Sequence, residues 1–179
     1  MSSEPIIDAL PLAAAIHHDG SSDVDEMLRA FTQQQRAAGR RVLGLLMAPR
    51  KRELECQAAM VLVDVDSGDE YLVSQPLGSD STACRADPQA FAHASRVLRE
   101  AAERDADLVV CDRFGGMEAE NRGFCAELLA LMERGIPVLT AVAPLHVDAW
   151  REFSGGAPVL PPRIDAWDAW LTAALQQRT

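Results

Sequence analysis

The sequence lacks several features that mark common functional classes. No apolar run approaches the roughly 20 residues that a membrane-spanning helix needs. The amino terminus has neither a basic start nor an apolar stretch of signal-peptide length, so we expect a cytoplasmic protein with no membrane insertion. The four cysteines are scattered and form no C-x-x-C pair, which argues against a zinc ribbon and against a disulfide framework.

Positive charge is scarce. The chain has 17 Lys and Arg residues against 27 Asp and Glu residues, which gives a net charge of −10. Binding along a phosphate backbone needs clustered Lys and Arg, so we expect no nucleic acid partner. A small anion stays compatible with this balance, because it needs only a few backbone N–H groups and one or two arginines.

A phosphate-binding loop is also missing where one would be expected. The first strand candidate, residues 11–16, runs into the loop HHDGSSDVDE and a helix, which is the position of G-x-x-x-x-G-K-S/T in a P-loop protein. This loop has one glycine, no lysine and four acids. Two like charges about 4 Å apart cost on the order of 1–4 kcal/mol. The pattern therefore predicts P-loop-like topology without the triphosphate site.

His17, His18 and Asp19 open this loop and are candidate metal ligands. Adjacent residues of a strand point to opposite faces, so the three side chains do not converge by local geometry. The favoured interpretation is that the histidines end a strand at the surface while the acids satisfy the helix terminus. A metal site is the alternative.

Strand and helix patterns alternate along the chain, which is typical of an α/β fold with a mostly parallel sheet. We predict a single domain over residues 11–179, three-layered, after a loose lead-in at 1–10. Two β-rich runs joined by a glycine turn, 59–65 and 70–75, predict an antiparallel hairpin at the edge of the sheet. The remaining predicted strands are 11–16, 42–47, 108–111, 137–142 and 157–160. The predicted helices are 23–38, 88–104, 120–134, 144–153 and 164–176.

Two of these helices have clear start signals. Ser22 is the predicted N-cap of the first helix. Asp87 is the predicted N-cap of the second, and Pro88 fits the first helical position.

The stretch from Asp107 to Val142 is the centre of the predicted fold, a strand–helix–strand unit with a right-handed crossover. Ligands of open parallel sheets bind beyond the carboxyl ends of the strands. That rule places Asp112, Arg113, the glycine pair Gly115-Gly116 and Glu118 on the functional edge.

A second informative segment is Pro76–Pro88, which holds three hydroxyls, a cysteine and an arginine ahead of a helix. Hydroxyl side chains and N–H groups beside a helix start form an anion site, and Arg85 can add a charge-assisted bond. A polar surface loop that merely caps its helix explains the same residues equally well. Cys84 near the helix start is a candidate thiolate, but no base lies close in sequence.

Two resemblances follow from these residues. Asp112, Gly115, Met117 and Glu118 resemble a motif of THEP-type P-loop nucleoside-triphosphatases, although Arg113 replaces an expected acid and the lysine loop is absent. Nearly the whole chain resembles a bacterial family of unknown function whose members are often encoded within molybdate-transport operons. The residues that carry this second resemblance are 78–87, Arg113–Gly115 with Glu118, and 135–142.

The resemblance favours a non-catalytic, metal-handling protein that binds molybdate, tungstate or a molybdenum-containing cofactor. Molybdate is a tetrahedral dianion, which suits hydroxyls, N–H groups and arginines. Cys84 is also a candidate direct molybdenum ligand, since soft thiolates suit such metals. The predicted oxyanion-binding residues are Ser79, Ser81, Thr82, Cys84, Arg85, Arg113 and Gly115.

Two other functions remain open. In a degenerate nucleoside-triphosphatase or nucleotide-binding protein, the resemblance implies that Asp112 would hold Mg²⁺ beside the nucleotide and Glu118 would orient water. A protein-interaction module would instead use the acidic surface and the basic run Arg50-Lys51-Arg52. A homodimer is compatible with each function, because homodimers are common.

Overall fold

A computed structural model describes residues 12–49, 60–76 and 84–178. The strands are β1 (Ala13–His17), β2 (Val42–Met47), β3 (Val61–Asp64), β4 (Glu70–Leu72), β5 (Ser74–Pro76), β6 (Cys84–Ala86), β7 (Leu108–Cys111), β8 (Val138–Val142) and β9 (Val159–Leu160). The helices are α1 (Val24–Ala37), α2 (Pro88–Glu103), α3 (Gly116–Ala119), α4 (Cys125–Glu133), α5 (Val147–Ser154) and α6 (Ile164–Gln177), with a 3-10 turn at Pro144–His146 before α5. Among the described residues, no helix is both long and apolar enough to cross a membrane.

The main sheet has seven strands in the order β4-β3-β2-β7-β8-β1-β9. The five strands from β2 to β9 pair in parallel, whereas β3 pairs antiparallel with both β2 and β4. The predicted fold class is therefore confirmed, including the antiparallel hairpin at one edge. The bounds of β2 and β7 match the prediction residue for residue.

Buried side chains form two clusters, one on each face of the sheet. Alternation along β1 shows this directly, since Ala13 and Ala15 enter one cluster while Ala14 and Ile16 enter the other. Helices α2, α4 and α5 cover the first face, and α1 and α6 cover the second. The chain thus forms helix, sheet and helix layers.

Helix starts follow the predicted chemistry with one correction. Asp87 caps α2 by accepting hydrogen bonds from Gln89 N and Ala90 N, and Pro88 is the first helical residue. The N-cap of α1 is Asp23, which accepts from Glu26 N, so the prediction of Ser22 was wrong by one residue. Both residue types suit the position, and local sequence does not discriminate between neighbours.

The helix predicted over residues 120–134 was wrong at its start. The chain instead forms the short α3, turns, and begins α4 at Cys125. Asn121 and Gly123 have φ values of 59° and 61°, a left-handed backbone that a continuous helix excludes. The turn carries Phe124 into the core, where it is 2% exposed.

The segment before α2 contains a strand pair that the sequence did not indicate. β5 and β6 run antiparallel, with Ser74 opposite Ala86 and Pro76 opposite Cys84. Residues 77–83, which join them, lie outside the described residues. This pair leaves the main sheet near Val73, whose backbone N–H donates to Met60 O.

Candidate functional site

The loops after β1 and β7 meet at the carboxyl edge of the parallel sheet. β8 lies between these two strands, and its last residue Val142 accepts a hydrogen bond from His18 N. Phe114 N, beyond β7, donates to Ala141 O of the same strand. These bonds fix both loops to one strand, so the first turn of α1 faces the residues that follow β7.

An ion pair joins the two loops. Nη2 of Arg113 donates to both carboxylate oxygens of Asp25, at 3.1 and 2.9 Å. The Arg113 side chain is 38% exposed and that of Asp25 is 27% exposed. Nε of Arg113 is buried and has no hydrogen-bond partner among the described residues. Arg113, predicted as an oxyanion ligand, therefore already has an acidic partner within the chain.

Asp112 is the most perturbed carboxyl group of this edge. Its side chain is 12% exposed, and Oδ1 lies 3.9 Å from Arg113 Nε. Burial raises the pKa of Asp112 to about 7, Arg113 opposes this rise, and the nearby Asp25 and Glu118 add to it. No described residue donates a hydrogen bond to its carboxylate. The group is thus a buried acceptor available to a ligand.

His17, which ends β1, and His18 do not form a metal site with other described residues. Among these, no group of three or more His, Cys, Asp or Glu side chains is placed to hold a metal ion. Burial lowers the pKa of His18, and the positive charge of Arg113 lowers it further. Asp19 accepts a hydrogen bond from Ser21 N within its own exposed turn.

Glu118 has a structural task. One carboxylate oxygen accepts from Gly115 N at 3.0 Å and the other accepts from Phe124 N at 3.1 Å. Cys125 Sγ donates to the Glu118 carbonyl oxygen at 3.2 Å. A Cβ atom at Gly123 would meet Oε1 of Glu118 at 2.1 Å, so the turn requires glycine there. Glu118, predicted under the nucleotide alternative to orient water, is 5% exposed and closes the turn after β7.

A cavity of about 170 Å³ opens beside this turn. Asp112, Arg113, Gly115, Gly116 and Glu118 line one side of it. Its remaining walls are apolar and come from β3, the start of the β5–β6 pair, α2 and the α3–α4 turn. These apolar lining residues are Met60, Leu62, Val73, Ala86, Phe91, Met117 and Phe124.

Of the predicted oxyanion ligands, the structure places Arg113 and Gly115 at the cavity. Ser79, Ser81 and Thr82 lie outside the described residues, and only the backbone of Cys84 and Arg85 is described. β6, which carries Cys84 and Arg85, ends at the cavity wall with Ala86.

Two features of the site were absent from the sequence reasoning. Asp25, one of the four acids of the loop after β1, is the partner of Arg113. A usable signal existed, because a helix that follows β1 starts at the same sheet edge as the loop after β7. The apolar walls, including Phe91 and Phe124, come from separate elements and have no local signal.

Comparison with solved structures supports the fold. A solution structure of a human cancer-related nucleoside triphosphatase superimposes with a TM-score of 0.66 at 16% identity, covering 96% of this chain and 100% of that one. At this identity the likeness concerns the fold alone.

The single lysine in the sequence is Lys51, so the loop after β1 has none.

Sequence comparison gives a relative and a family. Over 158 residues the chain is 38% identical to "Molybdenum import ATP-binding protein ModC 2" of Bradyrhizobium diazoefficiens, a match that covers 86% of this chain and 18% of that protein. The chain thus spans less than a fifth of this relative's length. A family model described as "Protein of unknown function (DUF2478)" matches residues 13–170. The chain belongs to this family, DUF2478.

Proposed function

We propose that the protein is a non-catalytic accessory protein of molybdenum handling, which binds molybdate, tungstate or a molybdenum-containing cofactor at the carboxyl-edge cavity. One observation carries the proposal. The cavity brings Arg113 and Gly115 of the turn after β7 to the same space as Ala86, which ends the strand bearing Cys84 and Arg85. This neighbourhood supports the proposal that the segment of residues 78–87 contributes ligands to the same site as Arg113, although the two segments are separate in sequence.

The named relative supports the molybdenum part of this proposal. The name of that protein couples molybdenum import with ATP binding, but this chain matches only 18% of its length. We carry over the link with molybdenum and not the ATP-binding activity. The reason lies in this chain's own residues, since the loop after β1 has no lysine and α1 has Asp25 and Glu26 in its first turn.

The charges at the edge also oppose a triphosphate. A transferred phosphate needs fixed positive charge to balance it. Here the guanidinium of Arg113 is already paired with Asp25, and Asp23 caps the helix start with its own side chain. A triphosphate at this place would displace these acids or meet their charge.

A thermal-shift titration tests the proposal. Purified protein is titrated with molybdate, tungstate, sulfate, phosphate and Mg-ATP. A ligand at about 100 times its dissociation constant stabilises by roughly 2.7 kcal/mol. For a domain of this size that is a rise in Tm of roughly 5–10 °C. We expect molybdate or tungstate to raise the Tm more than sulfate does.

Variants then locate the site. Arg113→Ala and Arg85→Ala, alone and together, should weaken the molybdate response. Arg151→Ala is the matched control. The Arg151 side chain is 60% exposed and forms an ion pair with Asp148 of the same helix at 3.8 Å. An unchanged response in the double variant would overturn this location of the site.

Nucleotide binding is the second candidate, favoured by the fold of the human nucleoside triphosphatase. Asp112 accepts no hydrogen bond from the described residues and is compatible with holding Mg²⁺. Both oxygens of Glu118, in contrast, already accept backbone N–H groups, so it is poorly placed to orient water. Stabilisation by Mg-ATP but not by molybdate would reverse the order of the two candidates. No response to any of these ligands would favour a protein partner.

A further inference from the structure

The walls of the carboxyl-edge cavity are mostly apolar, which limits what can enter it. Met60, Leu62, Val73, Phe91 and Phe124 line it. A doubly charged oxyanion among these apolar side chains would lose hydration without matching polar contacts, at a high free-energy cost, so an oxyanion suits only the side of the cavity lined by Arg113 and Gly115. An uncharged organic group gains from the same burial.

The counter-charge for an oxyanion is also weak at this place. Arg113 is the described basic side chain that lines the cavity, and its Nη2 is bonded to both oxygens of Asp25. Asp112 lines the cavity beside it and would repel an anion when ionised. At this site a ligand meets a hydrogen-bond acceptor, the Asp112 carboxylate, while the positive charge of Arg113 is already paired.

Two aromatic rings shape the apolar end. Phe91 of α2 and Phe124 of the α3–α4 turn lie with ring centroids 5.1 Å apart and planes inclined at 42°. Met60 and Met117 add flexible thioether side chains to the same walls. Aromatic faces and methionine sulfur are favourable contacts for a flat ring.

The size of the cavity suits one ring system. An apolar cavity of about 150 Å³ is large enough to hold benzene, and this cavity has about 170 Å³. Pockets for whole drug-sized ligands are larger, about 300–1,000 Å³. Only one end of a cofactor would therefore be enclosed, with the remainder outside.

We propose that the cavity binds a flat heterocycle with a 2-amino-4-oxopyrimidine edge, which donates two N–H groups to the Asp112 carboxylate between walls that include Phe91 and Phe124. This inference deepens the function proposed above and rests on the same site. The edge occurs in pterins, the organic part of a molybdenum cofactor, and in guanine. The charged remainder of the ligand would lie outside the cavity, toward Arg113.

The pH dependence separates this ligand from an inorganic anion. Two N–H donors stabilise the carboxylate form of Asp112, whose ligand-free pKa is about 7 because of burial. Heterocycle affinity should therefore rise as the pH increases through 7, and fall again only at the higher pH where the ring N–H of the ligand itself ionises. An oxyanion in the same place would bind more weakly as the pH rises, since the carboxylate becomes charged.

The test is calorimetric titration of the wild-type chain and Asp112→Asn with four probes: pterin, guanosine, adenosine and molybdate. Adenosine is the matched control, because its base lacks the 2-amino-4-oxo edge. Asp165→Asn is the control variant, since Asp165 is 76% exposed. Thermal unfolding of each free variant shows that it is folded before titration.

We expect pterin or guanosine to bind the wild type, adenosine to bind at least ten-fold more weakly, and Asp112→Asn to lose roughly 10- to 100-fold, as for a lost charge-assisted hydrogen bond. The preference between pterin and guanosine identifies the source of the edge. Equal binding of adenosine, or undiminished binding by Asp112→Asn, would overturn the inference.

The inference and the proposed function fail in different ways. Molybdate binding without either heterocycle would overturn the inference and leave the proposed function standing. Guanosine binding with no response to pterin or molybdate would support the heterocycle edge and remove the link with molybdenum. Absence of binding by all four probes would overturn the inference, and a flat thermal-shift series with tungstate would then remove the oxyanion function as well.

Discussion

The free energy of unfolding of Asp112→Asn should increase relative to that of the wild type as the pH rises. Burial raises the pKa of Asp112 from 3.8 to about 7, against the opposing charge of Arg113. An acid whose folded pKa lies above its unfolded value binds more protons in the folded state over the interval between the two. Folding stability is therefore lost as the pH rises from about 4 to about 7, and the loss is constant above that.

The magnitude follows from the same shift. A difference of about three pKa units corresponds to about 4 kcal/mol in total, since each unit is worth about 1.36 kcal/mol. Between pH 5.5 and 8.5 the part that is lost is roughly 2 kcal/mol. Asn does not titrate. Between pH 5.5 and 8.5 the free energy of unfolding of Asp112→Asn should therefore increase by this amount relative to that of the wild type. Titrating groups distant from Asp112 contribute equally to both proteins and cancel in this difference.

Urea denaturation at pH 5.5, 7 and 8.5 measures the effect. All three values lie above the sequence pI of about 4.8, which avoids the pH of zero net charge. Asp165→Asn, at an exposed position, should keep a constant difference from the wild type. A difference between Asp112→Asn and wild type that stays constant over this range would refute a buried, protonated Asp112.

Other predictions concern the turn after β7 and the ion pair. Gly123→Ala should destabilise the protein by about 2 kcal/mol or more, through strain at positive φ and a clash with the Glu118 carboxylate. Gly116→Ala is the control, because no atom lies within 4 Å of its added Cβ. Equal urea midpoints for the two variants would contradict this prediction. Glu118→Gln should cost about 1–3 kcal/mol in urea denaturation, because one backbone N–H loses its acceptor. Asp25→Asn should change stability by about 1 kcal/mol, because its pair with Arg113 is only partly buried. It should strengthen molybdate binding in titrations by releasing Arg113; weaker binding would contradict this.

Much of the fold was predictable because its signals are local. β2 and β7 are short apolar runs bounded by turns, and their predicted bounds were correct. Asp87 and Pro88 mark the start of α2 through interactions within three residues. Such features depend on neighbours in the sequence, so a pattern of residue types is enough to find them.

The α3–α4 turn was missed because its cause is not periodic. Apolar spacing from Phe124 onward is helical in either arrangement. The turn exists because the Glu118 carboxylate accepts N–H groups three residues before it and six residues after it, with Gly123 fitting close beside it. The helical spacing of apolar residues does not indicate that a carboxylate accepts hydrogen bonds from N–H groups on both sides of a turn.

The candidate site was only partly predictable for a related reason. The topology predicted from the sequence is enough to place Asp112 and Arg113 at the carboxyl edge of the sheet. The Arg113–Asp25 pair spans 88 residues, and no periodicity links the two positions. The cavity likewise needs Phe91 and Val73, which reach it from separate elements.

The charges at the carboxyl edge argue for a ligand whose enclosed part is neutral. A helix start normally offers N–H groups and a positive dipole end to an anion. In this chain Asp23 bonds to Glu26 N at that start, and Asp25 of the same turn holds Arg113. An anion must therefore compete with acids of the chain for both sources of positive charge. A neutral ring that donates to Asp112 displaces no described hydrogen bond, because the nearest described cation, Arg113 Nε, lies 3.9 Å from the carboxyl oxygen. The arrangement that opposes a triphosphate thus supports the proposal of an organic ligand with its ring inside and its charged group outside.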